Sequence, residues 1–66
     1  MPIVKIELWE GRTPEQKERM IASVTEAICS SIACPPDTVQ IIIQDHKKHD
    51  WGIDGKPASK LPPRKA

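Results

Sequence analysis

The sequence predicts an α+β fold: a β-α-β unit with parallel strands and a short C-terminal hairpin, assembled as an oligomer. Three observations point there. Two runs with apolar residues at period two, 2–9 and 39–45, flank a stretch whose apolar residues recur every three or four positions. An Asp-Gly turn signal, Asp54-Gly55, stands near the end of the chain. Finally, the chain has only 66 residues, and a domain of that length buries only roughly 60% of the surface its unfolded chain exposes.

In the first run Val4, Ile6 and Leu8 share one face, and Ile3, Lys5, Glu7 and Trp9 the other. Glu10-Gly11-Arg12 breaks the alternation. Thr13-Pro14-Glu15-Gln16 then reads as a complete helix start, with Thr13 as N-cap, Pro14 at the first helical position and Gln16 closing a capping box. Met20, Ile21, Val24, Ala27, Ile28, Ser31 and Ile32 mark the inner face of a helix over 14–32, which Pro35-Pro36 ends. The second strand, 39–45, places Val39, Ile41 and Ile43 on one face and Gln40, Ile42 and Gln44 on the other. Residues 46–50 read as a polar loop, and 51–56 as the hairpin.

Two strands joined by one helix run parallel with a right-handed crossover. The helix covers one sheet face only, whereas parallel sheets are normally covered on both. Ile3, Trp9 and Ile42 lie on the uncovered side. Chains this short usually add disulfides, a metal or partner subunits. A partner subunit against the open face is the solution this sequence asks for.

Composition excludes several functions. Ten Lys and Arg against nine Asp and Glu leave a formal net charge of +1, without the basic excess of a dedicated nucleic-acid binder. No apolar run approaches the roughly 20 residues of a membrane span. The N-terminus lacks the basic and apolar regions of a secretory signal, so Cys29 and Cys34 are expected as reduced thiols in a cytoplasmic protein. Their spacing across the helix end orients them poorly for a disulfide. One domain is expected over 1–60, followed by a basic, poorly ordered tail at 61–66 that carries no aromatic residue for base stacking.

Position 2 carries the first chemical signal. Methionine is generally removed before a small residue such as proline, and removal of Met1 exposes the secondary amine of Pro2. Apolar surroundings or a nearby cation lower an amine's pKa, and an amine uncharged near pH 7 suits a general base. Proline is equally at home simply opening an edge strand. Arg12, just before the N-cap, suits a bidentate grip on a carboxylate. The adjacent helix N-terminus favours the same anion. A solvated loop arginine, or a partner for Glu10 or Glu15, is the plainer reading.

Pro2, the segment Leu8-Trp9-Glu10-Gly11-Arg12-Thr13, Glu15-Gln16-Lys17, Val39 to Ile43, Trp51-Gly52-Ile53 with Gly55, and Ala58-Ser59-Lys60 together resemble the 4-oxalocrotonate tautomerase family. The resemblance runs from Pro2 to about Lys60 without a gap. It implies a tautomerase-like β-α-β fold assembled as a homohexamer, a trimer of dimers. It implies a cofactor-free isomerase that moves a proton within an unsaturated 2-hydroxy or 2-oxo acid, with Pro2 as general base and then acid. By the same resemblance Arg12 holds the distal carboxylate of the substrate, and Trp51 takes an aromatic position, usually Phe, that helps keep the proline pKa low.

Gln40 departs from the pattern, because the family's second arginine falls there. An amide supplies no guanidinium fork. Losing a charge-assisted contact to a developing enolate costs roughly 2–4 kcal/mol, or roughly 30- to 1000-fold in rate. Lys47 or Lys48 are candidates to replace the charge. Three alternatives follow: a monoacid as the natural substrate, hydration or dehalogenation of an unsaturated acid on the same fold, and a non-enzymatic oligomer that binds a protein or metabolite through its open face or basic tail. His46 and His49, flanked by Asp45 and Asp50, have loose metal-like spacing but no third distant ligand, so no metal site is assigned.

Overall fold

The structure, a computed structural model, describes residues 1–62. The last four positions of the expected basic tail, Arg64 and Lys65 among them, lie outside the described residues.

Strand β1 is Ile3–Trp9, helix α1 is Pro14–Ile32 and strand β2 is Gln40–His46. The strands pair in parallel, in register from Ile3 opposite Gln40 to Trp9 opposite His46. The expected second strand is thus shifted by one residue. Val39 closes a 3-10 turn over Pro36–Thr38, while His46 stays in the sheet, where its carbonyl accepts the Glu10 N–H over 2.9 Å.

Helix α1 starts as its sequence dictates. The Gln16 N–H donates to Thr13 Oγ1 over 3.1 Å, and the Thr13 N–H donates back to Gln16 Oε1 over 2.9 Å. Two of the amides that the first turn leaves unpaired, or that flank it, are so satisfied. Later in the helix, polar residues bond inward. Thr25 Oγ1 donates to the Ile21 carbonyl over 2.7 Å, and Ser31 Oγ donates to that of Ala27 over 2.6 Å. Lys17, Met20, Val24 and Ile28 form the stripe turned toward the sheet. Ile21 and Ile32, expected on the inner face, are 40% and 61% exposed. A two-stranded sheet is narrower than the apolar stripe of a globular helix, so the stripe's flank is left uncovered.

Ala33 ends the helix in the left-handed region, φ 54° and ψ 52°. This reversal brings the two cysteines closer than their spacing suggests, although they stay unbridged as expected. The chain doubles back, so the Cys34 thiol comes within hydrogen-bonding reach of Cys29. Both thiols are free and half-buried. Desolvation raises the pKa of Cys29, and the neighbouring Cys34 and Asp37 raise it further.

Strands β3, Gly52–Ile53, and β4, Lys56–Pro57, form the expected hairpin. Asp54 and Gly55 both have positive φ, 53° and 78°, the signature of a type I′ turn. The hairpin folds back onto the preceding segment, where the Ala58 N–H donates to the Trp51 carbonyl over 2.7 Å.

Ala58 is the only buried hydrophobic among the described residues. Ile3 and Ile42 on the open sheet face are 59% and 48% exposed. A single chain exposes 5495 Å², against roughly 4,200 Å² for a compact monomer of its mass. No helix among the described residues is long and apolar enough to cross a membrane.

Candidate active site

The sequence-predicted site residues fall into two groups, one at each end of the parallel strand pair. At the end where both strands begin, Pro2 is half-buried and its carbonyl accepts the Gln40 N–H over 3.0 Å. The Gln40 carboxamide is exposed, with Nε2 3.8 Å from Met1 Sδ. The side chain of Met1 thus covers the donor that Gln40 presents beside Pro2.

At the far end, Gly11 turns the chain with φ 122°, a backbone open to glycine at little cost. Arg12 follows directly before the N-cap. It lines a cavity of about 180 Å³ with Leu8, Gln16, Lys17 and Met20, beside the helix N-terminus. Lys17 in the same cavity is paired with Asp45 across the helix-sheet junction. Among the described residues no carboxylate pairs with Arg12, so its fork is available to an anion, with the helix dipole pointing the same way.

Trp51 stands at this end on the open face. It meets Trp9 edge to face, with ring centroids 6.0 Å apart and planes at 82°. The His46 ring packs on Trp51 at 5.5 Å, and His46 Nε2 lies 2.9 Å from Glu7 Oε1. Lys48 Nζ sits 5.0 Å from the centroid of the Trp9 ring. A cavity of about 360 Å³ opens here, lined by Trp9, Lys48, Ile53, Ser59 and Leu61 among others.

The family model for tautomerase enzymes matches residues 2–61. The chain belongs to the tautomerase family. It is an isomerase of the 4-oxalocrotonate tautomerase type. A 2-hydroxymuconate tautomerase of Pseudomonas sp. (strain CF600) is 44% identical over 61 residues, which cover 92% of this chain and 97% of that one. Among solved structures, a 4-oxalocrotonate tautomerase isozyme from Methylibium petroleiphilum is 41% identical with a TM-score of 0.83, covering 88% of this chain and 94% of its own. A heterohexameric 4-oxalocrotonate tautomerase from Chloroflexus aurantiacus J-10-fl is 27% identical with a TM-score of 0.88, covering 94% and 100%.

Within one chain of this tautomerase, Pro2 and Gln40 come together, whereas Arg12 and Trp51 lie at the opposite end. A seven-residue strand at about 3.3 Å per residue separates the two groups by roughly 23 Å. Histidines expected in one polar loop are also parted. His46 belongs to β2 and faces Glu7, while His49 Nδ1 lies 3.4 Å from Ser59 Oγ. Among the described residues no three His, Cys, Asp or Glu side chains gather as metal ligands do.

Three residues around Trp51 escaped the sequence reading as site residues, Glu7, Trp9 and His46, whereas Lys48 was already a candidate to replace the charge missing at Gln40. The available signal was that Trp9 and Trp51 are the chain's only aromatic residues of the Phe, Trp and Tyr kind. A large ring on an open sheet face finds burial most readily against another ring.

Proposed function

We propose that removal of Met1 exposes the Pro2 ring nitrogen as the general base of a tautomerase acting on unsaturated 2-hydroxy or 2-oxo acids, 2-hydroxymuconate among them. In this reading Pro2 takes the proton of the 2-hydroxyl group. The electron pair forms the C2 carbonyl and shifts the conjugated double bonds, and the Pro2 ammonium returns the proton to the distal carbon of the dienol. The reaction consumes no cofactor, because the same proton leaves and returns. Arg12 grips one carboxylate, Trp51 supplies the apolar wall that disfavours a charged amine, and the Gln40 amide, uncovered by loss of Met1, donates to the developing oxyanion.

The observation that carries this reading is the placement of Pro2 and Gln40 at one end of the sheet and Arg12 and Trp51 at the other. A small acid cannot bridge that separation. An antiparallel neighbour with its β1 beside this β1 brings the Pro2 of one chain to the Arg12 of the next. The active form is therefore a homo-oligomer, a trimer of dimers as in the resemblance, formed by a single domain over 1–60. Its excess of exposed surface supports assembly on independent grounds. The free thiols suit a cytoplasmic enzyme.

The test uses tag-free protein. Mass spectrometry is expected to show the chain without Met1, and the protein is expected to ketonise 2-hydroxymuconate and phenylenolpyruvate. Pro2→Ala is expected to lose at least about 100-fold in kcat, the usual contribution of a positioned acid-base group. Equal rates for the two proteins, or Met1 fully retained in an active preparation, would overturn the assignment.

A further inference from the structure

The larger cavity has an unusual electrostatic lining. Among the described residues Lys48 is its one cation, and no carboxylate lines it. Among the described residues no ion pair holds Lys48; its ammonium rests instead over the Trp9 ring. An indole attracts a cation through its quadrupole but does not neutralise it, so Lys48 is held in place with its full charge unspent.

The backbone fixes the same arrangement. Lys48 opens a 3-10 turn over Lys48–Asp50, and its carbonyl accepts the Trp51 N–H over 3.2 Å. Lys48 is thus positioned by the turn that carries Trp51, whose ring in turn meets the indole beneath the ammonium. Lys47, at the cap of that turn, and Lys48 are both exposed, but of the two only Lys48 lines the cavity. The remaining lining is mostly apolar, with Ile53, Ala58, Leu61 and Pro62, and Ser59 adds a hydroxyl. A volume of about 360 Å³ lies at the lower end of the usual ligand range of about 300–1,000 Å³. This is a lodging for a short hydrocarbon chain with an anionic end.

We propose that Lys48 is a second carboxylate anchor of the active site and makes the enzyme prefer unsaturated diacids to monoacids. The inference rests on the proposed function for the location of the site, and it adds a residue and a substrate preference to it. Arg12 supplies one cationic contact and Gln40 supplies none. A diacid therefore needs a further cation for its second carboxylate, and Lys48 is the cation whose place beside Trp51 meets that need. Arginine at 48 preserves the function, since it keeps both charge and affinity for an aromatic face.

Binding separates this inference from the chemistry of Pro2. Trp9 and Trp51 are the only fluorophores of their kind in the chain, and both flank the site. Their emission is titrated with adipate, a saturated diacid that cannot tautomerise, and with hexanoate, its monoacid counterpart. Wild type and Pro2→Ala are expected to bind adipate alike. Lys48→Met is expected to weaken adipate about tenfold or more, Lys48→Arg to stay close to wild type, and hexanoate to be indifferent to both changes. Adipate binding unchanged in Lys48→Met, both ligands weakened equally, or no adipate binding by wild type would each overturn the role of Lys48. The proposed function fails by a different result, full turnover by Pro2→Ala.

Discussion

The Gln40 amide donates to the Pro2 carbonyl over 3.0 Å, which locks the first residues of the two strands side by side. This bond fixes the backbone of position 40 beside residue 2. The side chain at position 40 is a neutral carboxamide, directed toward Met1. The end of the sheet that bears the proposed base therefore carries no cation at position 40, and in the proposed function charge for the substrate comes from Arg12 and from neighbouring elements.

The first prediction concerns that position. Gln40→Arg introduces a charged fork beside Pro2 and within reach of a developing enolate. The expected gain in kcat/KM for 2-hydroxymuconate is at least tenfold, within the roughly 2–4 kcal/mol attributed to one oxyanion contact. The gain for phenylenolpyruvate is expected to be smaller, because it has one carboxylate fewer to hold. Steady-state kinetics on both substrates check this. No gain on the diacid would show that position 40 does not face the reacting centre.

A second prediction follows from Trp9. Among the described residues its buried Nε1–H has no hydrogen-bond partner, and an orphaned buried donor costs roughly 1–3 kcal/mol. Trp9→Phe removes the orphan and keeps an aromatic edge against Trp51. Its melting temperature is expected to equal or exceed that of the wild type, while Trp9→Ala is expected to melt lower. Thermal unfolding followed by far-ultraviolet circular dichroism decides it. A drop for Trp9→Phe as large as that for Trp9→Ala would mean that the indole nitrogen finds an acceptor in the assembled protein.

Both strands, the helix and the hairpin were legible because each rests on local chemistry. Period-two alternation fixed which of Val4, Ile6 and Leu8 face the helix, and Thr13 with Gln16 fixed where the helix starts. What escaped depends on contacts between distant residues. His46 joins the sheet through a bond from Glu10, a pairing no pattern within residues 39–50 reveals. Ala33 adopts a left-handed conformation that composition would assign to glycine, so the meeting of Cys29 and Cys34 had no signal. The site was legible as residue types at Pro2, Arg12, Gln40 and Trp51. The cluster of Trp9, Lys48 and Trp51 appears only once the 3-10 turn and the hairpin fold back over the sheet end.

The thiol pair gives a prediction on pH. The folded chain raises the pKa of Cys29 above its ordinary 9.0 through desolvation, with Cys34 and Asp37 adding to it. The folded state therefore holds this proton more tightly than the unfolded chain. The resulting stability is fully present below pH 9 and is lost as pH rises through the folded-state value. Cys29→Ala lacks this dependence. Melting temperatures measured from pH 7 to pH 10.5 are expected to fall more steeply above pH 9 for wild type than for the variant. Parallel curves would show that the thiol ionises equally easily in both states.

The last prediction tests why so small a chain holds together. Ile42 stands at the centre of the open face, 48% exposed in a single chain and opposite Lys5 in the strand register. Assembly against this face removes its side chain from water. Covering an isoleucine stabilises by about 1.5–3 kcal/mol, repeated in every subunit. Ile42→Lys places a charge there instead, beside the charge of Lys5. Light scattering is expected to show a particle of lower mass than wild type, with a melting temperature that falls on dilution as mass action requires. Ketonisation is expected to disappear with the assembly, because Pro2 and Arg12 lie at opposite ends of β1 and no lone chain can join them. A variant that kept both its mass and its rate would show that subunits meet elsewhere. One that turned into a monomer yet stayed active would refute the shared site itself.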